Sequence, residues 1–182
     1  MNKTSAPKLP SNLPLLLGLE LVVSPNAAAL ELAVEAIQNS VSRRTEKSQR
    51  ASWRQNSMPA IRSLNKLFSS SDSDLLEDAR NILQEASKSP PSTDDARLLA
   101  DALNLDDFGI HGLLQQALRM GATGATLQEL LESFKRQEQY GYWEARLKED
   151  FHFEPVRRLA AQRLAHLRKV TAMLKEEMNA GR

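Results

Sequence analysis

The spacing of apolar residues in the last quarter of the chain is the strongest constraint on its fold. After Pro155, residues Leu159, Ala160, Leu164, Leu167, Val170, Thr171, Leu174 and Met178 recur at steps near 3.5, with Arg, Lys and Glu between them. That period fits a helix and no strand, because strand side chains alternate with a period of two. Pro155 suits a first helical position, where its missing N–H costs no hydrogen bond. The spacing therefore predicts a long C-terminal helix packed along one stripe.

The same period recurs upstream. Ser24-Pro25 reads as a helix start, followed by Leu30, Val34, Ile37 and Val41 on one face. Ile61, Leu64, Leu67 and Phe68 form a second short face. Asp72 or Ser73 is placed to cap a third helix carrying Leu75, Leu76, Ala79, Ile82, Leu83 and Ala86. Pro90-Pro91 ends that helix. Ser92 is read as the cap of the next, with Asp94 and Asp95 in its first turn and Leu98, Leu99, Ala102 and Leu103 inward.

A further helix is expected from about Asp106 to Met120, with Phe108, Leu113, Leu114, Ala117 and Leu118 inward and Gly121 as a left-handed cap. Thr126 and Glu129 form a capping box ahead of Leu127, Leu130, Leu131 and Phe134. Around Tyr140-Gly141-Tyr142-Trp143 the chain is aromatic and locally interrupted, and Leu147 and Phe151 suggest a short helix there. The fold class is all-α: a bundle of about six to eight helices closed by a long C-terminal one.

Composition agrees. Hydrophobic residues make up 41% of the 182, but aromatics only 5%. Leu and Ala therefore carry the core, as helix packing favours and sheets do not. Residues 1–24 hold three prolines among Ser and Asn and read as a flexible segment. Residues 25–182 form the helical part, expected as sub-bundles 25–120 and 121–182. The run Leu13–Val23 is too short to span a bilayer and holds Pro14 and Glu20, so no membrane span is expected. It also lacks a small-x-small cleavage site, and a cytoplasmic location is expected.

Chemistry-bearing patterns are scarce. There is no cysteine, which removes disulfides, thiol nucleophiles and thiolate zinc sites. No two of His111, His152 and His166 stand at a metal-ligand spacing. The chain has neither a phosphate-cradling glycine loop nor a nucleophile elbow. The carboxylate pairs Asp94-Asp95, Asp106-Asp107 and Glu176-Glu177 are adjacent in sequence, so on a helix they point about 100° apart. The chain is thus read as a non-enzyme, with no catalytic residue, no cofactor and no metal.

Charge is distributed in blocks. The net charge of +1 arises from +5 over residues 1–70, −8 over 71–132 and +4 over 133–182. Two basic clusters are the candidate partner-binding residues. Arg43, Arg44, Lys47, Arg50 and Arg54 surround Trp53, and Arg157, Arg158 and Arg168 lie on the last helix. The first reading is a protein–protein interaction regulator or adaptor, with Trp53 as an aromatic anchor. The alternative is a helical nucleic-acid-binding regulator whose Arg43–Arg54 and Arg157–Lys169 clusters grip phosphates. A pI near 8.0 and an acidic middle weigh against it. The residue pattern leaves oligomeric state open.

A family pattern sharpens the first reading. An amphipathic helix precedes Val41-Ser-Arg-Arg-Thr-Glu-Lys-Ser-Gln-Arg. Then Asp74-Leu-Leu-Glu-Asp-Ala-Arg-Asn-Ile-Leu-Gln-Glu-Ala is broken by Ser89-Pro-Pro-Ser-Thr-Asp-Asp. Ala96-Arg-Leu-Leu-Ala-Asp-Ala-Leu and Leu113-Leu-Gln-Gln-Ala-Leu-Arg-Met follow. Over roughly residues 20–120 this order resembles the N-terminal part of the bacterial type III secretion gatekeepers of the YopN/HrpJ type.

The resemblance implies an all-helical, non-enzymatic virulence regulator that controls passage of translocators or effectors. It would bind secretion-apparatus components or chaperones and could itself leave the cell through a type III system. By position, the family's secretion signal and chaperone-binding segment would fall on Met1–Leu17 and the helix from Asn26. Gatekeepers are longer than this chain, residues 121–182 lie outside the resemblance, and no individual binding residue carries over.

Overall fold

The computed structural model describes residues 26–42, 57–68 and 73–180. Eight helices and no strand occur among them: α1 (Ala27–Ser42), α2 (Met58–Leu67), α3 (Ser73–Ala86), α4 (Asp94–Asp106), α5 (Gly109–Gly121), α6 (Leu127–Gln139), α7 (Tyr142–Glu149) and α8 (Glu154–Ala180). The protein is all-α and ends in its longest described helix, as the apolar period predicts. The expected Ser24 and Asp72 caps lie outside the described residues, as does the basic cluster around Trp53.

The chain divides into two compact units, residues 1–100 and 101–182, and the division falls within α4. The loop at Gly121 is not the boundary, because α5 packs on α8 and so belongs with the second unit.

In the first unit α1, α2 and α3 pack on one another. Leu30, Val34 and Ile37 of α1 are buried, and so are Ala29, Ala33 and Ala36 beside them. These small side chains let the neighbouring helix axes approach closely. Ile61 and Leu64 from α2, and Ala79, Ile82, Leu83 and Ala86 from α3, are the other buried apolar groups of these helices, with Ala60. Asn26 donates to Asp78 at 3.0 Å, and Arg80 donates to Asn65 at 3.1 Å. The cap of α4 is Thr93, whose Oγ1 accepts from the Ala96 N–H, and not Ser92. The Ser92 hydroxyl is turned instead to Glu85.

The second unit has an aromatic centre. Phe108, Phe134, Trp143 and Phe151 are buried with Leu105, Leu130, Val156, Leu164 and Leu167. The Phe108 ring meets Trp143 and Phe151 edge-on, with centroids 5.1 and 5.3 Å apart, a geometry that ring quadrupoles favour.

Around this core two expectations are corrected. Helix α4 runs on to Asp106, and α5 begins only at Gly109, whose φ of +83° makes the corner. At the other end of α5, Gly121 is still helical, and the left-handed residue is Gly124, at φ +81°. The Ala125 N–H then closes the turn on the Met120 carbonyl. The Thr126–Glu129 capping box forms as the pattern predicts, with bonds of 2.7 and 3.3 Å in the two directions.

Candidate functional site

Buried polar groups tie the second half of α4 to the segments around α7 and the start of α8. Asp101 is completely buried on α4. Its carboxylate accepts the backbone N–H of His152 at 2.9 and 3.0 Å and that of Phe153 at 2.9 Å. Its Oδ1 also lies 2.7 Å from His152 Nδ1, which must carry the proton because a carboxylate only accepts. An Asp–His pair can orient a catalytic imidazole. Here both Asp oxygens are occupied by backbone donors just ahead of α8, and among the described residues no hydroxyl bonds the other ring nitrogen. The pair works as a remote cap for the start of α8.

Arg146 of α7 is the second polar hub. It donates to Asp150 at 2.6 Å, Asp107 at 3.1 Å and Asn104 at 3.1 Å, and its guanidinium lies 5.3 Å from the Phe108 ring centroid. Burial alone would lower its pKa. The hydrogen bond to Asp150, helped by Tyr142, Asp107 and the Asp150 charge, outweighs burial and raises it. Asn104 in turn donates to the Asp150 carbonyl at 2.7 Å.

Beyond the α4–α5 corner, α5 leaves one face uncovered. Leu113 is 6% exposed, but Ile110, Leu114 and Leu118 are 44%, 57% and 75% exposed. The reading that placed Leu114 and Leu118 inward is therefore corrected. Adjacent helix positions diverge by about 100°, so Leu113 and Leu114 cannot both face the same core. Residues four apart drift by only about 40° per step, so Ile110, Leu114 and Leu118 form one continuous apolar stripe. His111, Gln115 and Arg119 run beside it, joined by Gln115 to His111 at 2.7 Å and Arg119 to Gln115 at 3.4 Å. Helix α5 carries no carboxylate. A sign of this second face was present in the sequence, where Ile110, Leu113, Leu114, Ala117 and Leu118 are more apolar residues than one stripe needs.

The predicted basic residues fare differently. Arg43, Arg44, Lys47, Arg50, Trp53 and Arg54 lie outside the described residues. On α8, Arg157 donates to Glu154 at 2.8 Å and to the Phe151 carbonyl at 2.7 Å. Arg168 is shared between Glu138 of α6 and Glu144 of α7. That hydrogen bond from Arg168 holds the Glu144 carboxyl below its usual range. Arg158 is more open, with Glu154 at 4.0 Å. Arg163 donates to the Leu105 carbonyl at 3.1 Å, and desolvation lowers its pKa. Arg168 and the two terminal nitrogens of Arg157 thus bond within the protein, while Arg157 Nε is buried without a partner.

Among the described residues no group of three His, Asp or Glu side chains is placed to hold a metal ion. No described helix is long and apolar enough to cross a membrane. With this geometry in view, the chain matches no protein-family model, no curated protein and no solved structure.

Proposed function

We propose that this protein is a non-enzymatic protein–protein interaction regulator or adaptor, acting in type III secretion control as the gatekeepers it resembles do. The observation that supports this best is the uncovered Ile110–Leu114–Leu118 stripe on a helix whose opposite side is anchored in a packed core. A stripe of this period fits a single amphipathic helix of another protein, docked by apolar anchors one turn apart. It is too narrow for a second copy to use alone, since a stable interface engages about 20–30 residues a side. The lack of any carboxylate on α5, and Arg119 beside the stripe, favour an acidic partner helix.

Affinity purification of the tagged full chain from its native cells, at low and moderate salt and with nuclease, tests the reading. Secretion-apparatus components or small acidic chaperones should co-purify, survive nuclease, and be lost from a Leu114→Glu/Leu118→Glu variant. Both residues are exposed, so the variant should stay folded, with stability within about 0.5 kcal/mol of the parent. Capture of nucleic acid alone, removed by nuclease or by moderate salt, would overturn the proposal in favour of the basic clusters.

A further inference from the structure

The first half of α6 and the end of α8 flank an open groove of about 190 Å³, with the buried Leu131 at its floor, the half-buried Met178 on its wall and Gln128, Glu132, Lys135, Lys175 and Asn179 around them. Size decides what class of ligand it suits. Small-molecule and cofactor sites run to roughly 300–1,000 Å³, so the groove is too small for one. A closed apolar cavity of roughly 150 Å³ holds a benzene-sized group, so an open groove of this size takes no more than one leucine- or phenylalanine-sized side chain.

Charge decides what carries that side chain. Lys135 comes from α6 and Lys175 from α8, and both are exposed. Among the described residues neither ammonium has a carboxylate within ion-pairing distance. Glu132, the one acid at the groove, is instead bonded by Gln128 at 3.1 Å. The surface therefore offers an apolar socket with a free cation on each of two helices.

We infer that this groove is a docking socket for an acidic segment of a partner protein, which inserts one large apolar side chain between Leu131 and Met178 and sets carboxylates against Lys135 and Lys175. The inference rests on the protein-binding reading above for the class of partner, but it uses different helices and residues from the α5 stripe.

The test is a methyl NMR titration of the full chain with a short helical peptide that carries one leucine with a glutamate a turn to either side. The Leu131 and Met178 methyl resonances should shift on titration. The Lys135→Glu/Lys175→Glu variant should bind about tenfold more weakly, as reversal of two exposed charge pairs predicts. A peptide with lysines in place of the glutamates should show the opposite preference, binding the variant better than the parent. A leucine-to-alanine peptide should shift neither methyl.

Absence of methyl shifts, or shifts that the charge reversal leaves unchanged, would overturn the inference. In that event, co-purified partners still lost on Leu114→Glu/Leu118→Glu would leave the general reading standing. Far-UV circular dichroism of the charge-reversed variant guards against misfolding.

Discussion

Single side chains in the second unit set both its stability and its pH response. Asp101 satisfies two backbone donors and one imidazole from a site with no water access. Asp101→Ala strands those donors and should cost about 3 kcal/mol in urea denaturation. Asp106, five positions further along the same helix, is the opposite case. Burial pushes its pKa up to about 6, against the lowering pull of His111 and Arg163, with Asp107 adding to the rise. Its Oδ1 is buried without a partner. The folded-state pKa lies above the unfolded one, so the native state holds the proton more tightly. Stability from this group is therefore greatest below about pH 4 and is lost as pH rises through 6. Asp106→Asn should stabilise the protein at pH 7 by about 1–2 kcal/mol, after discounting for its partial exposure. The difference should shrink towards zero near pH 4, which parallel thermal melts at the two pH values would detect. Neither role was legible in the sequence, where Asp106 reads as an acid at the start of a helix and no pattern singles out Asp101.

Helix α5 shows how elements are seated. A Cβ built on Gly112 would lie 2.1 Å from the Asp107 carbonyl oxygen, so the corner is closed around a bare backbone. At Gly109 the backbone is left-handed, and a Cβ would also come within 3.0 Å of the Arg163 side chain. Gly112→Ala should force the α4–α5 corner open and destabilise the protein by about 2–4 kcal/mol, read as a lower urea midpoint. The sequence located every described helix within a few residues, because each has its own apolar period and most have a cap or breaker at an end. It misplaced the start of α5 at Asp106, where the apolar pattern of α4 runs on without a gap through Leu105 and into Phe108. It also chose Ser92 over Thr93 as a cap, since two neighbouring hydroxyls are equivalent until one meets the Ala96 N–H.

Across the molecule, interaction surfaces are what distance in sequence conceals. Lys135 and Lys175 are far apart in the chain and flank one groove; Arg168 draws Glu138 and Glu144 onto α8 and ceases to be a free cation. Charge counting alone therefore overstates the basic face of α8. The measurable consequence is that polyanion binding by the α8 cluster should be weak and lost by moderate salt, whereas partner capture through Leu114 and Leu118 should persist. By itself the sequence determined the all-α class, the order of the helices and the long last helix, because helical period and capping are local properties of neighbouring residues. Only the tertiary structure decided which apolar side chains are covered, since burial depends on the helix that arrives opposite. It placed Leu113 in the core and left Leu114 bare, and it made the buried Asp101 the anchor of the chain entering α8.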